Sequence, residues 1–226
     1  MARFQMTEAQ LLDMHRVLLD QLAESPALLL RAREMLDIMA RGKSGPPPSV
    51  WDDWAAILDM DGPARAQRLL KNAPAEGLLR AHSPLVAALD TAERNRLWQV
   101  VGLGRFVGHV LDAMGGLGLD AGETEAVLRI PVATLEGWRA HPPAHVPEDG
   151  LARMKALVGI ARALETLFQA DVVRRGWLRT RCQDLAAVPL DLMAAEVPAD
   201  GLARVHQHLS EAVGAHVDAA HMPRMG

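Results

Sequence analysis

A chain of 226 residues that is 50% apolar and 23% charged has globular composition and enough length for one large or two small domains, which excludes a disordered polymer. Its formal net charge of −4 argues against indiscriminate nucleic-acid binding, because that affinity comes from neutralised phosphates. Tyrosine is absent, phenylalanine is scarce, and Ala and Leu outnumber the β-branched residues, so an all-α fold with no sheet is expected.

Thr7 with Gln10 has the spacing of a capping box and predicts a first helix, with Leu11, Met14, Leu18 and Leu22 on one face. Ser25-Pro26 opens a second, since Ser caps and Pro suits the first helical position. Leu28, Leu29, Ala32, Met35, Leu36 and Met39 form its buried stripe, and Gly42 stops it. Gly42 to Pro48 reads as a stiff, proline-rich linker. Ser49 with Asp52 predicts a capped short helix carrying Trp51, Trp54, Ala55 and Leu58, whose helical spacing points to core packing rather than a stacking platform. From Leu69 to Pro84 the prolines and Gly77 divide the chain into short pieces. Asp90 to Glu93 then start a long helix through Leu97, Val101, Val107, Val110, Leu111 and Met114. In it Gly104 and Gly108 form a smooth groove for a neighbouring helix, and Gly115, Gly116 and Gly118 end it.

A domain boundary is expected at those glycines. Residues 1–115 would form an N-terminal helical domain, 116–145 a helix-turn-helix-like unit, and 146–226 a small C-terminal helical domain. Leu119 to Arg139 reads as a short helix, a tight three-residue turn and a second helix from near Val132, which is helix-turn-helix spacing. Such motifs favour a small residue where the helices touch and a glycine at the turn, and here those places hold Glu125 and Arg129. Either the helices splay, or these side chains, four apart, pair at the surface. If the motif reads DNA, Val132, Thr134, Glu136 and Arg139 are the recognition-helix candidates, with Arg129 and Lys155 as phosphate contacts.

After the hinge His141 to Pro147, a long amphipathic helix runs through Leu151, Met154, Leu157, Val158, Ala161, Leu164 and Phe168. Further helices are expected over Asp171 to Thr180, after Pro189, and over Asp200 to Val213, with Leu202, Val205 and Leu209 as the last stripe, Gly214 as its stop and an aperiodic tail. Val146 to Met154 and Val197 to Val205 nearly coincide; their flanks differ, so we read one helix-start solution used twice rather than a repeat.

Motifs that carry chemistry are missing: there is no Walker loop, no His-Glu-x-x-His, no Cys-x-x-Cys and no Gly-x-Ser-x-Gly. No catalytic residue and no cofactor is therefore expected, and an enzyme reading would have to rest on Glu165 and His109. No metal site is expected either. His206 and His208, two apart, point to different sides of a helix, and His141 and His145 flank prolines. Cys182, beside Arg179 and Arg181, reads as a bystander thiol. A single cysteine and the lack of a signal-like start fit the cytoplasm, and the most apolar long window carries Arg105, His109 and Asp112, too costly for a membrane span.

The second half resembles the Xre/MbcA/ParS antitoxins, in which a helix-turn-helix precedes a small helical toxin-binding domain. The resemblance covers about residues 110–214. It rests on Leu128 to Trp138, Ile160 to Phe168, Trp177-Leu178-Arg179-Thr180, Pro189-Leu190-Asp191-Leu192 and Gly201 to Val205. It implies an antitoxin of a type II toxin–antitoxin system that neutralises a cognate toxin by direct binding, typically a RES-type NAD-degrading enzyme, and represses its own operon as a homodimer on operator DNA. Toxin contacts would then come from Trp177, Leu178, Arg179, Pro189, Leu190, Leu192, Met193, Leu202 and Arg204. Independently, Trp177, Leu178, Leu190, Leu192 and Met193 are more apolar side chains than short helices bury among themselves, so a surplus facing a partner is expected. Arg181-Cys182 stands where the family has Pro-Asn, and Val188 where it has Gly, so the loop is expected to differ in shape. The rival reading is a helical protein–protein adaptor with a degenerate motif and no DNA contact. The first 115 residues are expected to form a second partner-binding or dimerising module; Leu79 to Leu85 and Ala92 to Arg94 resemble a block of bacterial proteins with this organisation.

Overall fold

The computed structural model describes residues 7–24, 26–42, 45–143, 145–195 and 200–221. Among these the fold is all-α, with thirteen helices, no strand, and one isolated bridge between Cys182 and Ala187. The chain divides into two compact units, residues 1–103 and 104–226. No helix among the described residues is long and apolar enough to cross a membrane.

In the first unit, α1 (Glu8–Glu24) starts where Thr7 and Gln10 exchange hydrogen bonds, at 2.8 and 3.3 Å. Its stripe Leu11, Met14, Leu18 and Leu22 is buried, as its spacing predicts. α2 (Pro26–Ala40) buries Leu28, Ala32 and Leu36, while Leu29, Met35 and Met39 are only partly covered. The cap expected of Ser25 lies outside the described residues, as does the middle of the linker after Gly42. α3 (Pro48–Asp59) begins two residues earlier than expected: Pro48 opens it with no side-chain cap, so Ser49 lies inside the helix. Trp54 is fully buried and its Nε1–H donates to the Leu79 carbonyl at 3.0 Å, whereas Trp51 is half-buried and Ala55 exposed. α4 (Gly62–Leu69), α5 (Pro74–Ala81) and α6 (Pro84–Ala87) each carry a proline in the first turn, where a missing N–H loses nothing. α7 (Thr91–Leu117) opens on a reciprocal box between Asp90 and Glu93.

Two buried arginines in this unit serve helix ends. The guanidinium of Arg65 donates to the carbonyls of Ile57, Leu58 and Met60 at 3.2, 3.2 and 2.6 Å, satisfying the open end of α3. Arg80 does the same at the end of α4, donating to Leu69 and Lys71 at 2.5 and 3.0 Å, and pairs with Glu8. His15, wholly buried, bonds the Leu11 carbonyl at 2.7 Å and Ser83 Oγ at 2.9 Å. Burial lowers its pKa from 6.5 to about 4, against the raising effect of the Leu11 carbonyl.

The second unit begins within α7, at Gly104, rather than at the glycines that end the helix. Glycine can stop a helix, but buried side chains decide which core a turn belongs to, and Val107, Val110, Met114 and Leu117 are buried after the division. Gly115 and Gly116 stay helical; only Gly118, at φ 64°, takes the left-handed conformation that closes the end. The groove expected at Gly104 and Gly108 receives no helix. A Cβ on Gly104 would lie 2.7 Å from Pro142 Cγ, so the proline-rich hinge fills it, and Gly108 is open.

α8 (Ala121–Leu128) is capped by a reciprocal box between Asp120 and Glu123. α9 (Val132–Ala140) follows after a turn of three residues. α10 (Glu148–Leu167) packs chiefly on α13 (Gly201–His221). Between them come α11 (Asp171–Arg179) and α12 (Pro189–Ala194), the latter packed on α13 and α8. α13 runs through Gly214 instead of ending there, since one exposed helical glycine costs only about 1 kcal/mol. The tail from residue 222 lies outside the described residues. Arg153 repeats the arginine device, donating Nε–H and Nη–H to the Val127 carbonyl at 2.8 and 2.5 Å at the end of α8. The sequence echo has a packing reason in its glycines. A Cβ on Gly150 would press on Ile130 at 3.2 Å, and one on Gly201 would collide with the Leu192 carbonyl.

Candidate functional site

Two short helices, α8 and α9, joined by a turn of three residues form here despite the unusual residues. Arg129 itself takes the left-handed turn position, at φ 57°, where a glycine would be unstrained. Glu125 stays exposed, and its Oε1 accepts the Val132 N–H at 3.1 Å, so it caps α9, which has no other side-chain cap. Neither splaying nor a pair with Arg129 is needed to settle this carboxylate. Leu135 is buried and anchors α9; Val132 and Thr134 are half-buried, while Arg129, Glu136, Arg139 and Lys155 are exposed. By helical spacing the open side of α9 is Ala133, Glu136 and Gly137, with Arg139 at its edge. That face has one acid and few donors, a poor match to base edges or phosphates.

The expected toxin-binding set divides in two. Leu178, Pro189, Leu190, Leu192, Met193 and Leu202 are buried within their own unit, so the apolar surplus expected there is absent. These short helices close on α13 and α8, which the residue pattern alone did not reveal. Arg204 is exposed and Trp177 half-buried. Arg179 is exposed but engaged, donating to Glu123 at 2.7 Å and to the Gly118 carbonyl at 2.8 Å. Apolar surface in this unit lies instead on α11, where Val172 and Val173 are 76% and 47% exposed. Val172, Gly176 and Arg179 share the outward face of α11 at i, i+4 and i+7, with Val173 at its margin.

Two further groupings bring together residues from separate elements. His109 and Glu165, the residues an enzyme reading would use, line one shallow depression of about 160 Å³ with Asp112 and Arg162. All four are exposed, and the volume is below the range of about 300–1,000 Å³ that small-molecule sites occupy. The other grouping joins the loop after α11 to α13: donor atoms of Cys182, Asp184 and His208 all lie within 4.8 Å of one another. Cys182 Sγ is 3.9 Å from His208 Nε2, and the His208 ring stacks on Trp177 at 6.3 Å between centroids, tilted by 10°. Sequence spacing hid this set because Cys182 and His208 come from different elements, whereas the pairing considered, His206 with His208, lies on one helix.

No protein-family model matches this chain, and no curated protein matches it.

Proposed function

We propose that this chain is a non-enzymatic, antitoxin-type binding protein that neutralises a cognate toxin by direct contact, the residue resemblance pointing to a RES-type NAD-degrading toxin. The observation that carries this reading is the outward face of α11, where Val172 and Val173 stand exposed beside half-buried Trp177 in the region the resemblance assigns to the toxin. The two valines form a small apolar patch with exposed Arg175, Arg179 and Arg181 near it, the apolar centre and polar rim that interfaces share. The contact surface therefore shifts from the buried α12 residues to α11.

Co-expression with the product of the neighbouring gene tests it. Val172→Asp with Val173→Asp should abolish protection while the far-UV circular dichroism stays unchanged. Full protection by that folded variant would overturn the α11 surface. Truncation from Leu202 is a poor test, because α13 supplies the face on which α10 and α12 pack.

A second reading, operator binding as a homodimer, is favoured by the left-handed turn at Arg129 and the helix–turn–helix order. The acid and small residues on the open side of α9 weigh toward the protein-only adaptor. Salt-titrated binding to upstream DNA separates them: a reader loses affinity with a log–log slope of about −0.9 per phosphate contacted, and the adaptor shows no specific complex.

A further inference from the structure

We propose that Cys182, Asp184 and His208 form a binding site for a zinc-class divalent transition-metal ion. The donor set is a thiol, a carboxylate and an imidazole, the three side-chain types that zinc takes, and a thiolate with an imidazole selects against magnesium and calcium. A tetrahedral ion with bonds of about 2.0–2.3 Å holds its donors about 3.3–3.8 Å apart. The Cys182 to His208 separation of 3.9 Å is nearly there. Closing the three donors from within 4.8 Å needs a shift of about 1 Å by Asp184, an exposed side chain free to turn.

The scaffold brings Cys182 and His208 together before any ion arrives, and Asp184 turns to join them. The Cys182 N–H donates to the Ala187 carbonyl at 2.9 Å, the Ala186 N–H to the Gln183 carbonyl at 3.0 Å, and Leu185 is buried, so the loop that carries Cys182 and Asp184 is a closed turn. His208 follows on α13 one turn after the buried Val205 and directly before the buried Leu209, and the Trp177 ring lies nearly parallel to its ring, with centroids 6.3 Å apart. Cysteine binds as the thiolate, its proton passing to solvent, and histidine binds neutral, so the pair replaces two water ligands of the hydrated ion. Three protein donors leave the fourth tetrahedral position to water. A bound ion clips the loop between α11 and α12 onto α13. This inference departs from the expectation of no metal and is independent of the antitoxin reading, because it needs no partner.

The test uses the full-length protein, freed of metal with a chelator and titrated with Co(II) and with Zn(II) alone. One equivalent should bind, the Co(II) form should show thiolate-to-metal charge-transfer absorption, and Zn(II) should raise the melting temperature. Cys182→Ser should erase that absorption. His208→Ala should weaken binding by about 100-fold or more, since even outer-shell partners are worth about 10- to 100-fold. Asp184→Asn, at an exposed position where folding is not at stake, should weaken it about tenfold, and His145→Ala should change nothing. A spectrum without the thiolate band overturns the site. So does stoichiometric binding that survives both Cys182→Ser and Asp184→Asn, or no saturable binding by protein with unaltered circular dichroism.

Discussion

Residues 1–103 and residues 104–226 differ in how many polar side chains they bury. Among the described residues the first unit buries His15, Arg65, Glu76, Arg80 and Ser83, and the second buries only Thr124 and Arg153. In the first, guanidinium groups finish helix ends inside the core, where no partner can compete for them. In the second, Arg175 and Arg179 reach carbonyls at the end of α7, and Arg179 pairs with Glu123, all at the surface. Surface bonds of this kind are worth about 0–1 kcal/mol and can be exchanged for contacts with another molecule. The contrast separates a unit that buries several polar side chains, though the Nε of Arg31 and of Arg80 finds no partner there, from one whose polar contacts are mostly accessible.

The sharpest way to break this comparison is in the first core. Trp54→Ala removes a fully buried ring and its bond to the Leu79 carbonyl, and should cost about 3–5 kcal/mol in urea unfolding; a loss below about 1 kcal/mol would mean the core around it collapses without strain. Next comes acid. His15 titrates near 4 folded and 6.5 unfolded, so the unfolded chain binds the extra proton between those values. Its contribution is therefore whole above pH 6.5, falls as pH drops toward 4, and changes no further below, a loss of about 3 kcal/mol at 1.36 kcal/mol per unit. His15→Gln should flatten that part of the stability profile, read by urea melts at pH 7 and pH 4.5.

The comparison sharpens in the second unit. Arg153→Met leaves the Val127 carbonyl without its partner and should cost about 2 kcal/mol, whereas Arg179→Ala, at the surface, should cost less than about 1 kcal/mol. Equal losses would erase the distinction between interior and exposed arginines. Asp120→Ala, which removes the cap of α8, should cost about 1 kcal/mol by thermal unfolding. The smallest effect is expected from Val172→Asp with Val173→Asp: within about 0.5 kcal/mol on stability, because neither side chain is in the core.

Much of the fold was legible in the residues because helix signals are local. Capping pairs such as Thr7 with Gln10, and stripes such as Leu11 to Leu22, depend on neighbours one turn away. The site was less legible. Leu190, Leu192 and Met193 read as an apolar surplus only while the elements that cover them are unknown; once α12 lies against α13 and α8, they are interior. Val172 and Val173, by contrast, carried no signal of exposure, since an Asp-Val-Val-Arg-Arg run fits a buried edge equally well.

Composition and periodicity by themselves determined that this protein is helical, where most helices begin, and which stripes face inward, because those properties follow from contacts within one or two turns. Tertiary structure alone decided that Glu125 caps α9, that the toxin-binding candidates on α12 are interior, and that Cys182, Asp184 and His208 meet. Those outcomes depend on how separate elements pack or on the shape of the turns between them, and helical periodicity carries no information about either.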